Sequence, residues 1–260
     1  MSDLVLYDVR DGVAVLTLNR PDRLNAWSLD MEAVYAECLD RAAADPDVRV
    51  VVVTGAGRGF CAGADMDLLQ GIGGGNAGQP RHEKAHYEFE PAVPKPVIAA
   101  INGACAGLGL VHALLCDIRF AAAGAKFTTA FVRRGLIAEH GSGWLLPRVV
   151  GLSRSLDILM SGRVFLAEEA ERMGLVDRVV APEALLDETL AYAREMATWC
   201  SPASMREIKT QLWHQAWGSL EDNVHDANQR MVASFGRPDF KEGVQSYLEK
   251  REPRFTGVTE

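Results

Sequence analysis

Two short glycine-bearing segments of this chain have the make-up of an anion-stabilising site. They are Phe60-Cys61-Ala62-Gly63-Ala64-Asp65 and Asn102-Gly103-Ala104-Cys105-Ala106-Gly107-Leu108-Gly109. Each reads as a strand-to-helix turn. Such a turn aims unpaired backbone N–H groups outward, where the helix dipole adds its attraction for negative charge. Two converging N–H groups make an oxyanion hole, which stabilises charge developing on a carbonyl oxygen. Plain tight turns fit the same residues, and periodicity does not choose between the two. Other glycine-rich chemistries fit less well. The loop at 55–63 lacks the Gly-Lys-Ser/Thr ending of a phosphate loop, and the segment at 107–109 leads to His112 where a dinucleotide fingerprint needs glycine. Gly141-Ser142-Gly143 stands beside His140, but a serine nucleophile elbow needs glycine two residues either side of the serine. Those places hold His140 and Trp144, which leaves a tight turn.

The elements that must carry these turns follow from local patterns. Residues 13–18 are apolar and β-branched, a strand, and Asn19-Arg20-Pro21-Asp22 closes it with turn chemistry. Over 29–44 the apolar residues Met31, Val34, Tyr35, Cys38, Leu39 and Ala42 recur at helical spacing, with Ser28 as N-cap and Asp45-Pro46-Asp47 as the stop. Residues 48–54 contain four consecutive valines and read as a buried strand, completing a β-α-β order. Residues 71–80 are rich in glycine and read as a loop. Strands are expected at 96–101 and 117–122, around an apolar helix at 108–116. From Ser153 onward helices dominate, with Pro182 placed to start one. Cys200-Ser201-Pro202 marks a junction between a core, residues 1–200, and a helical C-terminal part, residues 201–260. No internal repeat is visible.

Composition narrows the function. The 260 residues are 48% hydrophobic, enough to bury a sizeable core. A net charge of −8 argues against a nucleic-acid surface, which needs clustered Lys and Arg. No apolar run reaches the roughly 20 residues of a membrane span, and no signal peptide is expected at Met1-Ser2-Asp3-Leu4. The five widely spaced cysteines include no Cys-x-x-Cys pair, so reduced thiols in a cytoplasmic protein without a metal site are expected.

Several separated motifs together resemble the enoyl-CoA hydratase/isomerase (crotonase) family. They are Asn19-Arg20-Pro21, Asn25-Ala26, the Phe60 to Asp65 segment, Lys95-Pro96 through Asn102-Gly103 and Gly107, and Cys116-Asp117. The resemblance runs from about Val13 to Arg178. It implies an α/β fold, a crotonase-like spiral of ββα repeats with a helical C-terminal trimerisation region, assembled as a homotrimer or homohexamer. It implies an acyl-CoA thioester as substrate, with coenzyme A entering as part of that substrate and no further cofactor. The oxyanion donors fall on the N–H groups of Ala64 and Leu108, where the family usually has glycine at 108. Arg23, Leu24, Ala26 and Ala62 match residues that line the coenzyme, and Asp65 and Met66 fall beside the substrate.

The same resemblance exposes a departure. Family hydratases use two glutamates that share a water; the matching positions here are Val111 and Phe131, neither of which carries a proton. Glu139 instead falls where dienoyl-CoA isomerases have an aspartate base and 4-chlorobenzoyl-CoA dehalogenases an aspartate nucleophile. A carboxylate in a partly apolar pocket has a raised pKa and exchanges protons near neutrality. The competing reading makes Glu139 a solvent-facing loop residue or pairs it with Arg133 or Arg134. His140 is placed to orient Glu139, His82 and His86 are candidate second proton carriers, and Phe131 and Trp144 shape the pocket or pack the core. The expectation is an enolate-stabilising enzyme with one proton-transferring carboxylate, isomerase-like. Hydration, thioester hydrolysis, C–C cleavage, and CoA-ester binding without turnover are the alternatives.

Overall fold

The computed structural model describes residues 3–74, 89–215 and 219–257. The chain opens with an antiparallel pair, β1 (Val5–Arg10) and β2 (Val13–Leu18), whose tight turn uses Asp11 and Gly12, both at positive φ. The sequence reading missed β1, although Asp-Gly is a strong hairpin signal. Helix α1 (Leu29–Ala44) starts as expected, with the Ser28 side chain accepting from the Met31 amide at 3.2 Å.

From there the chain winds as a spiral. β3 (Val50–Gly55), β5 (Val97–Ile101), β7 (Ile118–Ala122) and β10 (Arg178–Val180) extend one sheet in the order β1-β2-β3-β5-β7-β10. β4 (Gly59–Cys61), β6 (Ala104–Ala106), β8 (Lys126–Thr128) and β9 (Phe165–Leu166) build a second sheet in the order β4-β6-β8-β9. Each turn thus gives a strand to the large sheet, then a short strand to the small one. Helix α2 (Met66–Gly73) follows β4, and α3 (Leu108–Leu115) follows β6. The large-sheet strands are parallel from β2 onward, with Val52 opposite Val15 and Ile98, and Ala100 opposite Phe120. Buried on both faces, they read as continuous apolar runs, which is why 50–53 is all valine.

Helices α4 (Ser142–Val150), α5 (Leu152–Ser161), α6 (Ala167–Met173), α7 (Leu185–Trp199), α8 (Pro202–Gln215), α9 (Leu220–Phe235) and α10 (Pro238–Glu249) complete the chain. Two expectations are corrected. Residues 71–73 belong to α2 rather than to a loop, and 75–80 lie outside the described residues. Pro182 sits in a turn ahead of α7, whose N-cap is Ala184, so it does not start that helix. The helical C-terminal region and the spiral stand as expected.

Candidate active site

The two glycine turns meet because β4 and β6 are neighbours in the small sheet. Ala62-Gly63-Ala64 leaves the end of β4 and Gly107-Leu108 the end of β6. Gly63 (φ +93) and Gly107 (φ +50) adopt conformations that side-chain-bearing residues avoid. A Cβ on Gly63 would lie 2.9 Å from the Ala106 carbonyl oxygen and 3.6 Å from the Leu108 nitrogen, so only glycine lets the turns approach this closely.

The amide directions are set by an isolated parallel bridge between Trp27 and Ala64. Trp27 N–H donates to the Gly63 carbonyl and Asp65 N–H donates to the Trp27 carbonyl, both at 2.8 Å. Parallel pairing on both flanks turns the Ala64 N–H away from the bridge. Leu108 is the first residue of α3, where no intrahelical acceptor exists. Among the described residues neither amide donates a hydrogen bond.

Both turns line one narrow cleft of about 60 Å³ with Thr129, Ala130, Phe131, Arg134, Leu136, Glu139 and His140. Six residues singled out in the sequence therefore come together: Ala62, Ala64, Leu108, Phe131, Glu139 and His140. The Ala62 amide donates to the Leu24 carbonyl at 3.0 Å, which brings the Leu24-to-Ala26 segment alongside. Three others face elsewhere. Arg23 is exposed at the end of a short 3-10 turn (Pro21–Arg23). Met66 is exposed at the start of α2. Asp65 is buried, bound to Arg20 at 2.7 Å and to the Asp67 amide at 3.0 Å. Burial alone would raise its pKa; the Asp67 amide and Arg20 outweigh that and hold it below the usual carboxylate range. His82 and His86 lie outside the described residues.

Glu139 stands half-buried between the turn Val132–Arg134 and α4. Its carboxylate has no hydrogen-bond or ion-pair partner among the described residues, so pairing with Arg133 or Arg134 is not seen. Those arginines reach the Ser161 and Ala130 carbonyls instead. Burial pushes the Glu139 pKa up. His140 takes positive φ (+49), and although the residue is exposed on one side, desolvation by the protein around it lowers its pKa. His112 lowers it further and Glu32 opposes the shift. Val111 and Phe131 are buried and apolar, so neither brings a second carboxylate. The Cys61 thiol behind the first turn is pushed up to about 12 by burial and is no nucleophile at neutral pH. Among the described residues no group of three His, Cys, Asp or Glu side chains could hold a metal ion.

Thr129, Ala130, Arg134 and Leu136 were not anticipated as cleft residues. Ala130 is at φ +57, a conformation its residue type does not signal. Among the described residues, the site combines two free backbone donors with one unpaired carboxylate across a narrow apolar cleft. That is the equipment for polarising a carbonyl and moving a proton beside it.

Comparison with known proteins gives the family. The enoyl-CoA hydratase/isomerase family profile matches residues 8–258. A 1,2-epoxyphenylacetyl-CoA isomerase of Escherichia coli is 39% identical over 99% of this chain and its own full length. A protein described as probable enoyl-CoA hydratase EchA12 of Mycobacterium tuberculosis is also 39% identical, over 96% of this chain and 91% of its own. Among solved structures, a probable enoyl-CoA hydratase/isomerase of Mycobacterium abscessus superposes with a TM-score of 0.88 at 31% identity, covering 98% of this chain and 99% of the other. The chain belongs to the enoyl-CoA hydratase/isomerase family, which acts on acyl-CoA substrates, and has the crotonase fold. Among the described residues no helix is long and apolar enough to cross a membrane.

Proposed function

We propose that the chain isomerises an acyl-CoA thioester, with Ala64 and Leu108 as oxyanion donors and Glu139 as the single proton carrier. The thioester carbonyl sits between the two amides. The charge on its oxygen as the α-proton leaves is greater in the transition state than in the bound thioester, so donors fixed beforehand lower the barrier to proton removal. Glu139 takes the proton from one carbon and returns it to another, and no water is consumed. The observation that carries this reading is the unpaired, raised-pKa carboxylate of Glu139 in the cleft of both free amides. It is supported by apolar Val111 and Phe131 where hydratases of the family hold their glutamate pair, and by the isomerase name of the E. coli relative.

Coenzyme A enters as part of the substrate. Its phosphates suit a cleft of about 410 Å³ beside Leu24 that Arg58 and Lys126 also line, with Arg23 nearby in sequence. The C-terminal region from residue 201 serves assembly into trimers or paired trimers. It leaves Leu212, Leu220 and Leu248 largely exposed, 66%, 81% and 74%, and Leu212 lines an apolar groove of about 550 Å³ between α4 and α8.

The test begins with turnover on a panel of enoyl-, dienoyl- and β-diketone CoA esters. On an ester that the enzyme converts, Glu139→Gln should lower turnover by about a hundredfold to ten-thousandfold with near-normal ester affinity. Near-wild-type turnover of that variant rules Glu139 out as the proton carrier. Binding of every ester with turnover of none leaves a CoA-ester-binding protein, and water addition or release of free acid makes the reaction hydration or hydrolysis.

A further inference from the structure

Directly beneath the cleft lies a buried polar cluster that the chemistry above does not use. His112 is on α3, one helical turn after Leu108 and 2% exposed. Its Nδ1 is 2.8 Å from Glu90 Oε1, and the Tyr35 hydroxyl donates to that same oxygen at 2.7 Å. Glu90 is fully buried, and its Oε2 has no hydrogen-bond partner among the described residues. The His112 ring is stacked between Trp27, at 4.1 Å between ring centroids, and Phe89, at 5.8 Å. Trp27 is further fixed by its indole N–H, which donates to Glu32 at 2.8 Å.

Packing alone does not explain this arrangement. A buried carboxylate with one unpaired oxygen costs free energy, and apolar side chains would fill the same space more cheaply. What the polar cluster adds is direction: Glu90 and Tyr35 hold the imidazole at one angle, which dispersion contacts would not. The two stacked residues are also the ones joined to the oxyanion donors. His112 shares a helix face with Leu108, four residues earlier. Trp27 is bridged to Ala64 by the two backbone hydrogen bonds that aim the Ala64 amide. The ring-on-ring contact is therefore a strut between the two donor segments.

We propose that His112, oriented by Glu90, is a positioning residue that sets the gap between the Ala64 and Leu108 amides through its stack on Trp27. The inference rests on reading those amides as oxyanion donors. Glu90 is itself held from the C-terminal side: Lys209 of α8 donates to its carbonyl at 2.7 Å and pairs with Asp117 at 2.8 Å. The strut is thus anchored outside the site it serves.

The experiment uses the full chain and 4-dimethylaminocinnamoyl-CoA, a probe whose absorption moves to the red when its thioester carbonyl is polarised. His112→Asn keeps a donor for Glu90 and removes the stacked ring; Glu90→Gln keeps the ring and removes the charge that orients it. His112→Asn should bind the probe within about threefold of the wild type, lose most of the red shift, and turn over roughly 10- to 100-fold more slowly, because a displaced donor fails in the transition state more than in the ground state. Glu90→Gln should give a smaller loss of both. A merely structural His112 would lower the melting temperature and leave the red shift intact. A folded His112→Asn with wild-type red shift and turnover overturns the inference. If that variant does not fold, Glu90→Gln decides, and wild-type values for it overturn the inference equally. A wild-type protein that fails to bind or polarise the probe counts instead against the oxyanion reading.

Discussion

The two halves of the cleft are built on different principles. The donor half is backbone. Its amides sit at the ends of β4 and β6, their turns need Gly63 and Gly107, and a hydrogen-bonded stack of His112 and Trp27 lies underneath. The proposed acid–base half is a side chain on an irregular segment, with Glu139 half-buried and unpaired among the described residues and His140 at positive φ beside it. The difference teaches where this family member varies. A backbone donor of the proposed kind tolerates a changed side chain, such as leucine at 108, provided the turn is kept. The carboxylate half, as proposed, carries its chemistry in one side chain.

If the contrast is right, deleting a donor requires removing an N–H rather than a side chain. Leu108→Pro does this at the first position of α3, where proline is tolerated because that N–H has no intrahelical partner. Turnover should fall by about 10²- to 10³-fold, the usual cost of one oxyanion donor, while the far-ultraviolet circular dichroism stays that of the wild type. Turnover within tenfold of wild type in a folded Leu108→Pro would break the comparison. Leu108→Ala is the complement. It should cost about 2 kcal/mol of stability from the buried methyl groups, yet leave turnover within about threefold, measured by denaturant unfolding and steady-state kinetics.

The smallest effect sharpens the other half. Burial raises the Glu139 pKa, so its carboxylate is harder to ionise in the folded chain than in the unfolded one. Its contribution to stability is then greatest below the ordinary glutamate range and is lost as pH rises through the raised value. Glu139→Gln has no charge to bury, so it should melt at an equal or slightly higher temperature than wild type near pH 7, with the advantage gone by about pH 4. The same shift places the acidic limb of kcat/KM above the ordinary glutamate range. A Gln variant that is clearly less stable at neutral pH would show that Glu139 has a structural partner after all.

Much of the large sheet and its helices was legible because their patterns are long. The valine run, the helical spacing over 29–44 with its Ser28 cap, and the apolar stretch at 108–115 each announce an element within a residue or two. The strands of the small sheet were not, since three residues such as Gly59–Cys61 or Ala104–Ala106 are too short for any period to show. That sheet nevertheless pairs the two donor turns, so their meeting came from family resemblance rather than from pattern. His112 illustrates the remaining gap. In the sequence it is one polar residue inside an apolar helix, and only long-range packing brings it to Glu90 and Trp27.

The alternation of strands between two sheets has a consequence for how activity appears as the chain folds. β4 and β6 come from successive turns of the spiral, and each supplies a single amide. Glu139 belongs to a later stretch again. With the proposed roles, a chain halted after its first turn holds one donor and no base; after its second, two donors and no base. Under that proposal catalysis switches on only when the third turn has closed, and enzymatic activity itself reports a completed spiral.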